Sequence, residues 1–228
     1  MAGRALIGRG GRRRAAFRHM AFEATARREG TRLQPFRVWT GRAAVLDRAN
    51  VDTDQIIPKR FLKSIERTGF ERALFADWRF MPDGAENPDF VLNQARYRGA
   101  TVLVAGPNFG SGSSREHAPW ALRDYGFRAV VAPSFADIFR NNCVENGLCP
   151  AEAAEADVAA LMRAVEGREG CEVSVDLEAR EVRGPDGLAF PFAIADSARQ
   201  RLLRGADAIA LTLEREGAIA RFERTTRL

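Results

Sequence analysis

The sequence predicts an α/β fold, because strand-like and helix-like segments alternate through its middle. Residues 100–105 form a short apolar run typical of a buried strand, and residues 128–132 form another. Each run leads through a turn into a segment with helical patterning, and strands alternating with helices are normally parallel. The 228 residues suffice for one domain or two small ones, and an apolar content of 46% is enough for a core.

The N-terminal residues 1–34 differ in composition from the rest. They hold nine arginines and two glutamates, whereas the remaining 26 basic and 28 acidic residues nearly cancel. This segment is a disordered basic arm, a leader translated upstream of a true start at Met20 or later, or an organelle transit peptide. Residues 35–228 are expected to form a single domain. Its near-neutral charge does not indicate nucleic-acid binding.

Cysteine usage indicates a reduced, cytoplasmic protein. The three cysteines are Cys143, Cys149 and Cys171, an odd number with no C-x-x-C spacing and no secretory segment. With only His19 and His117 as imidazole donors, no metal site is expected within this chain. No apolar run approaches the roughly 20 residues that span a bilayer.

The domain is expected to begin with a strand at residues 35–46. Its alternating pattern makes Phe36, Val38 and Val45 candidate core residues. Residues 61–80 mix aromatic and charged side chains and predict short helices before the loop that follows them.

An acidic turn, NVDTDQIIP, occupies residues 50–58. Its Asp and Asn side chains predict Asx hydrogen bonding, after which Ile56 and Ile57 enter the core. The only two lysines of the chain follow at Lys59 and Lys63. They lie either on an ordinary helix surface or on a basic rim above a carboxylate substrate.

The Gly-rich loop at residues 106–117 has the composition of a ligand site. A strand precedes it and a helix follows it, so backbone N–H groups can approach an anion closely. Ser113 and Glu116 fit a capping box. Arg115 would then lie in the first helical turn as a fork-shaped donor to a carboxylate or phosphate.

This loop does not fit the common Gly-rich motifs. It lacks the lysine of a P-loop, Arg115 replaces the third glycine of a dinucleotide fingerprint, and no G-x-S-x-G elbow is present. A capped helix after a flexible turn and an anion site therefore both remain possible from the residues alone.

A second strand–helix unit repeats this pattern. Ser134 and Asp137 fit another capping box, and the helix is expected to end near Asn146 with Gly147 after it. Cys143 on this helix is expected to be a buried small hydrophobe, since no positive partner adjoins it in sequence.

The C-terminal half predicts a helix, a hairpin and further helices. The expected helices cover residues 156–165, 195–203 and 206–222. The expected hairpin joins strands at 171–177 and 188–194 around the turn at 185–187.

Several segments together resemble the small subunit of 3-isopropylmalate dehydratase, in the aconitase superfamily. They are NVDTDQIIP at 50–58, GSGSSREH at 110–117, SFADIF at 134–139, and the tail LLRGADAI at 202–209 with Thr212 and Leu213. The likeness covers about residues 35–223. It implies a swivelling β/β/α domain that docks on a large subunit carrying a [4Fe–4S] cluster, whose open iron holds the substrate. The implied reaction isomerises 2-isopropylmalate to 3-isopropylmalate in leucine biosynthesis.

The resemblance also implies roles for individual residues. Ser113 would be the base that takes or returns the proton on carbon, with Ser114 and Arg115 binding a substrate carboxylate. Asp54 would face the active site and orient a partner residue. His117 is expected to pack on its helix or to lie behind the residues that contact the substrate.

The segment after Pro58 would lie near the variable group of the substrate. Its candidate recognition residues are Lys59, Arg60, Phe61 and Leu62. Rival interpretations are the small subunit of a homoaconitase or methylmalate-type dehydratase, a catalytically inert anion-binding regulatory domain, and a serine hydrolase using Ser113 with His117.

Overall fold

The computed structural model describes residues 33–62 and 68–205, which contain a seven-stranded sheet with helices packed against it. Lys63, the expected helix at 206–222 and residues 1–32 of the expected extension lie outside this described part. The strands are β1 (Val38–Leu46), β2 (Val102–Ala105), β3 (Ala129–Ala132), β4 (Cys149–Glu152), β5 (Glu172–Asp176), β6 (Glu181–Arg183) and β7 (Ala189–Pro191).

Six α-helices connect or follow these strands within the described residues. They are α1 (Thr53–Ile56), α2 (Ala76–Arg79), α3 (His117–Tyr125), α4 (Asp137–Glu145), α5 (Glu155–Glu166) and α6 (Asp196–Arg204). Single 3₁₀ turns lie at Lys59–Phe61, Val91–Asn93, Ala95–Tyr97 and Pro185–Gly187. None of the helices in the described ranges combines the length and apolar character needed to cross a membrane.

The strand order is β4-β3-β2-β1-β5-β6-β7. Strands β1 to β4 pair in parallel, and β5 to β7 pair antiparallel. The long strand β1 joins the two halves, because residues 43–46 pair with β2 and residues 38–42 pair with β5. This topology confirms the predicted α/β class and the parallel strand–helix units.

The core lies around the parallel strands. Every residue of β2 and β3 is buried, which explains why their sequences are continuously apolar rather than alternating. Phe36 and Val45 are buried as predicted, but Val38 is 49% exposed. The prediction for Val38 is wrong because the antiparallel half of β1 leaves one face open to solvent.

The predicted C-terminal hairpin is also wrong in its pairing. The turn at Pro185–Gly187 joins β6 to β7, and β6 lies between β5 and β7 in the sheet. Strand β6 is only three residues long, with Val182 as its single buried residue. Such a short strand carries too little alternation to be detected from sequence.

Two buried thiols line the parallel side of the core. Cys143 and Cys149 have no exposed surface, which confirms the prediction for Cys143. Burial raises the pKa of Cys149 to about 12 and raises the pKa of Cys143 well above its ordinary value. Both thiols are therefore protonated and unreactive in the folded protein at neutral pH.

These thiols should make the protein less stable at alkaline pH. A thiol with a higher pKa in the folded state adds stability that is complete below its unfolded pKa, about 8.5. This stability is lost as the pH rises toward the folded pKa of about 12. We expect Cys149→Ala to flatten the fall in unfolding free energy between about pH 9 and 11, by up to about 1.4 kcal/mol per pH unit.

Urea denaturation across this pH range measures the slope. Val131→Ala provides the control, because it also removes buried atoms from the parallel sheet but introduces or removes no titrating group. Identical slopes in wild type and Cys149→Ala would contradict the expectation.

Candidate active site

The carboxyl ends of β1, β2 and β3 lie at one edge of the sheet, because these strands are parallel. Ligands of open α/β sheets bind at this edge. Three loops follow the strands there, at residues 47–52, 106–116 and 133–136. Isolated backbone bridges join them, pairing Asp52 with Ser111 and Phe109 with Phe135. The Gly-rich loop is thus held between the other two.

The acidic turn supports the Gly-rich loop directly. The N–H of Gly110 donates to the carbonyl of Val51 at 2.7 Å, and the N–H of Thr53 donates to the carbonyl of Ser111 at 2.8 Å. The buried hydroxyl of Thr53 donates to the carbonyl of Ser113 at 2.8 Å. These bonds fix the path of residues 110–113 beside α1.

This path makes the predicted cap at Ser113 wrong. Helix α3 begins at His117, with Glu116 as its N-cap residue and no side-chain capping bond. Arg115 therefore precedes the helix instead of lying in its first turn. The reason is tertiary: hydrogen bonds to the acidic turn fix the path of residues 110–113, and the helix begins only after Glu116.

The second predicted capping box is wrong for the same reason. Helix α4 begins at Asp137 after an uncapped Ala136. The hydroxyl of Ser134 instead accepts a hydrogen bond from the N–H of Asn108 at 2.8 Å. The other end of the helix is as predicted, since Gly147 follows it with φ of 70°.

The expected Asx bonding in the acidic turn is confirmed. The Asp52 carboxylate accepts from the N–H of Gln55 at 2.8 Å, and the Gln55 side chain accepts from the N–H of Asp52 at 2.9 Å. This reciprocal cap starts α1. Ile56 and Ile57 are fully buried, as predicted, and they anchor the turn to the core.

Arg115 and Asp54 form the charged centre of the site. Arg115 Nη1 donates to Asp54 Oδ1 and approaches the carbonyl of Ile57 at 3.5 Å. The Arg115 side chain is 9% exposed and that of Asp54 is 42% exposed. Lys59 Nζ lies 3.9 Å from Asp54 Oδ2 but is largely exposed. A buried guanidinium needs such a partner, whereas the exposed Lys59 contact contributes little.

A cavity of about 260 Å³ opens beside this ion pair. Its polar lining comes from Thr53, Gly110, Gly112, Ser113, Ser114, Arg115 and Asp137, and its apolar lining from Ala136, Ile138 and Phe139. Ser113 and Ser114 are exposed. Among the described residues, none accepts a hydrogen bond from the N–H groups of residues 113–115. These donors are available to an anion.

The structure places the predicted recognition residues elsewhere. Arg60 and Phe61 line a separate cavity of about 560 Å³, next to α2. Arg60 pairs with Asp77 at 2.6 Å, and its guanidinium lies 4.8 Å from the centre of the Phe61 ring. Leu62 packs against the core. Of the four residues, only Lys59 approaches the Ser113 cavity, through Asp54.

The imidazole of His117 packs among aromatic rings, as predicted. Its centre lies 4.6 Å from the ring of Trp120 and 5.5 Å from that of Phe70.

Sequence reasoning missed the roles of Thr53 and Ile138. Thr53 lies within the acidic motif and could have been suspected, but no local signal places Ile138 at the cavity.

Gly110 provides a test of how tightly the loop is held. Its φ is +79°, and an added Cβ would lie 2.1 Å from Cγ of Phe139. We expect Gly110→Ala to lower the unfolding free energy by about 2–5 kcal/mol, from left-handed backbone strain and the clash together. Equilibrium urea denaturation measures the loss.

Gly187→Ala is the matched control for this variant. Gly187 has nearly the same φ of +76°, but nothing lies within 4 Å of an added Cβ. Its cost should be limited to backbone strain, about 1–2 kcal/mol. Equal losses in both variants would show that Phe139 does not confine the loop.

No group of three or more His, Cys, Asp or Glu side chains in the described residues could hold a metal ion. The three cysteines are each buried and unpaired. The donor chemistry of residues 33–62 and 68–205 therefore does not fit an iron–sulfur cluster.

Comparison with known proteins gives consistent likenesses. The family model for the aconitase C-terminal domain matches residues 33–156, and the model LeuD_N matches residues 159–196. The 3-isopropylmalate dehydratase small subunit of Shewanella amazonensis is 55% identical over 193 residues, 84% of this chain and 96% of that protein. That of Geobacillus kaustophilus is 55% identical over 192 residues, 84% of this chain and 97% of that protein.

A solved structure is similar along most of the chain. The crystal structure of 3-isopropylmalate dehydratase from Methanocaldococcus jannaschii has a TM-score of 0.61 and 26% sequence identity. The alignment covers 81% of this chain and 98% of that one. These likenesses confirm the resemblance drawn from the sequence and its fold class.

Proposed function

Because the chain belongs to the family of 3-isopropylmalate dehydratase small subunits, we propose that it acts in a hydro-lyase that isomerises 2-isopropylmalate to 3-isopropylmalate. Water leaves two adjacent carbons and returns in the opposite orientation, as one step of leucine biosynthesis. One observation carries the proposal: Ser113 and Arg115 line the same cavity at the carboxyl edge of the sheet.

Ser113 acts as the base that removes the proton from carbon and returns it in the reverse step. An ordinary serine hydroxyl is a weak base, so its alkoxide needs stabilisation. The free N–H groups of residues 113–115 and the cation of Arg115 supply it. Helix α3 begins four residues after Ser113. The backbone of the loop, rather than the N-terminus of the helix, therefore stabilises the alkoxide.

Arg115 and Ser114 bind a substrate carboxylate. The contacts of Arg115 with Asp54 and Ile57 both use Nη1, so within the described residues Nε and Nη2 are left for a carboxylate fork. Asp54 acts as a positioning residue, because it holds the guanidinium against the cavity wall. The exposed hydroxyl of Ser114 provides a second donor.

The reaction needs a second chain. The described residues do not fit an iron–sulfur cluster, and we assign a [4Fe–4S] cluster to a large-subunit partner. The complex is assigned to the cytoplasm, which agrees with three buried, unpaired cysteines. The segment of Lys59, Arg60, Phe61 and Leu62 recognises the variable group of the substrate, which would reach this segment past Asp54, the contact of Lys59 with the charged centre of the site.

Anaerobic co-purification with the large subunit tests the function. The complex should be brown and convert 2-isopropylmalate, while homologous substrates with a charged branch should react poorly. A chain beginning at Leu33 should behave identically, since residues 35–228 are proposed to form the working domain. If a large subunit that carries its cluster binds this chain but the complex leaves 2-isopropylmalate unchanged, the proposal is wrong and the regulatory alternative is favoured.

A further inference from the structure

Thr53 is one of three polar or charged side chains that are buried among the described residues. It is 2% exposed, whereas Arg79 is 8% exposed and Asn142 is 9% exposed. Only Thr53 of these three also lines the cavity that holds Ser113 and Arg115. A buried hydroxyl needs a hydrogen-bond partner, so the partner of Thr53 shows what its side chain does at this cavity.

The hydroxyl proton of Thr53 is committed to the Gly-rich loop. Its Oγ1 lies 2.8 Å from the carbonyl oxygen of Ser113, and a carbonyl oxygen can only accept. A threonine hydroxyl has a single proton to donate, so this proton is not available to a substrate. Thr53 therefore acts on the site through Ser113 and not as a donor to the substrate.

The same bond sets the direction of the next N–H group. The peptide between Ser113 and Ser114 is planar and trans, so its carbonyl and its N–H point in opposite directions. Because Thr53 holds the carbonyl, the N–H of Ser114 cannot turn without breaking that bond. This N–H is one of the loop donors that have no acceptor among the described residues.

We propose that Thr53 is a positioning residue for proton transfer, which holds Ser113 and the N–H of Ser114 in their working geometry. The inference rests on the proposed function, in which Ser113 is the base and the free N–H groups stabilise its alkoxide. Thr53 binds the loop at two points, because its own N–H donates to the carbonyl of Ser111 at 2.8 Å. Such support matters, since a shift of about 1 Å in a reacting group can cost about 10²-fold in rate.

Thr53→Val tests this role, because valine lacks the hydroxyl but keeps the β-branched shape of threonine. The full chain is assayed with a saturating amount of the large subunit. We expect kcat for 2-isopropylmalate to fall about 10–100-fold and KM to change less than about threefold, because the side chains assigned to carboxylate binding are retained. Thr53→Ser loses the methyl group but keeps the donor, so its kcat should stay within about threefold of the wild-type value.

Thr101→Val is the matched control. The hydroxyl of Thr101 also takes part in a bond between distant segments, accepting from Trp39 Nε1 at 2.9 Å. Thr101 precedes β2, however, and so lies at the amino end of that strand, away from the cavity. Urea denaturation checks that each variant folds, and Thr101→Val should keep the wild-type kcat. An equal fall in kcat in both valine variants would show a general effect of a lost hydrogen bond and overturn the proposal.

The kinetic constants separate this inference from packing and from the function on which it rests. If Thr53→Ser is as slow as Thr53→Val, the methyl group and not the hydroxyl matters, and the inference is wrong. A raised KM with an unchanged kcat in Thr53→Val would assign Thr53 to substrate binding and also overturn it. If the wild-type complex converts 2-isopropylmalate and Thr53→Val keeps near-native kcat and KM, the inference fails and the function stands. A wild-type complex that forms but leaves 2-isopropylmalate unchanged would refute the function, and with it the base that Thr53 positions.

Discussion

Ser113→Ala is expected to lower kcat by about 10³-fold while the complex with the large subunit still assembles. A positioned base typically contributes about 10²–10⁴-fold to a rate. The Ser113 side chain is exposed and makes no core contact. Its backbone carbonyl, which accepts from Thr53, is retained in alanine. The loop should therefore keep its shape, and steady-state kinetics with 2-isopropylmalate will isolate the loss of the hydroxyl.

Two serine variants sharpen this experiment. Ser197→Ala changes an exposed serine on α6 and should leave kcat at the wild-type value. Ser114→Ala should raise KM more than it lowers kcat, because Ser114 is assigned to binding rather than to proton transfer. Near-native turnover in Ser113→Ala would remove Ser113 as the base.

Arg115→Ala is expected to lower kcat/KM by about 10²–10³-fold, as for the loss of a two-bond carboxylate fork worth about 3–4 kcal/mol. Arg115→Lys should recover only part of this loss, since an ammonium retains the charge but not the planar fork. Folding should be affected little, because the unpaired Asp54 is 42% exposed and can be solvated. Substrate titration of each variant complex measures the effect.

Asp54→Asn tests whether Asp54 positions Arg115. The guanidinium would keep its charge but lose its anionic partner, so KM should rise less than in Arg115→Ala. The double variant Asp54→Asn/Arg115→Ala should lose less transition-state binding free energy, measured from kcat/KM, than the two single variants lose together. The reason is that the two residues act as a pair. Arg168→Ala removes an exposed ion pair with Asp186 instead and should leave KM unchanged. Strict additivity of Asp54 and Arg115 would contradict the positioning role.

The sequence alone determined the parallel α/β core and several local features of the elements around it. Continuous apolar runs identified β2 and β3, Gly147 marked the end of α4, and the lack of a charged neighbour identified Cys143 as buried. These features are governed by residues close in sequence, such as apolar periodicity and glycine at positive φ. Local patterns were therefore sufficient to predict them.

Only the tertiary structure decided where α3 and α4 begin and which charges pair. Ser113 and Ser134 had good local capping patterns, but bridges from Asp52 to Ser111 and from Phe109 to Phe135 fix the chain before each helix. Arg115 pairs with Asp54, which lies 61 residues earlier in the chain. Because long-range backbone bonds fix the path of these segments before each helix begins, the tertiary context overrides the local helical signal. The candidate site forms at the edge of the sheet where the carboxyl ends of β1, β2 and β3 lie together.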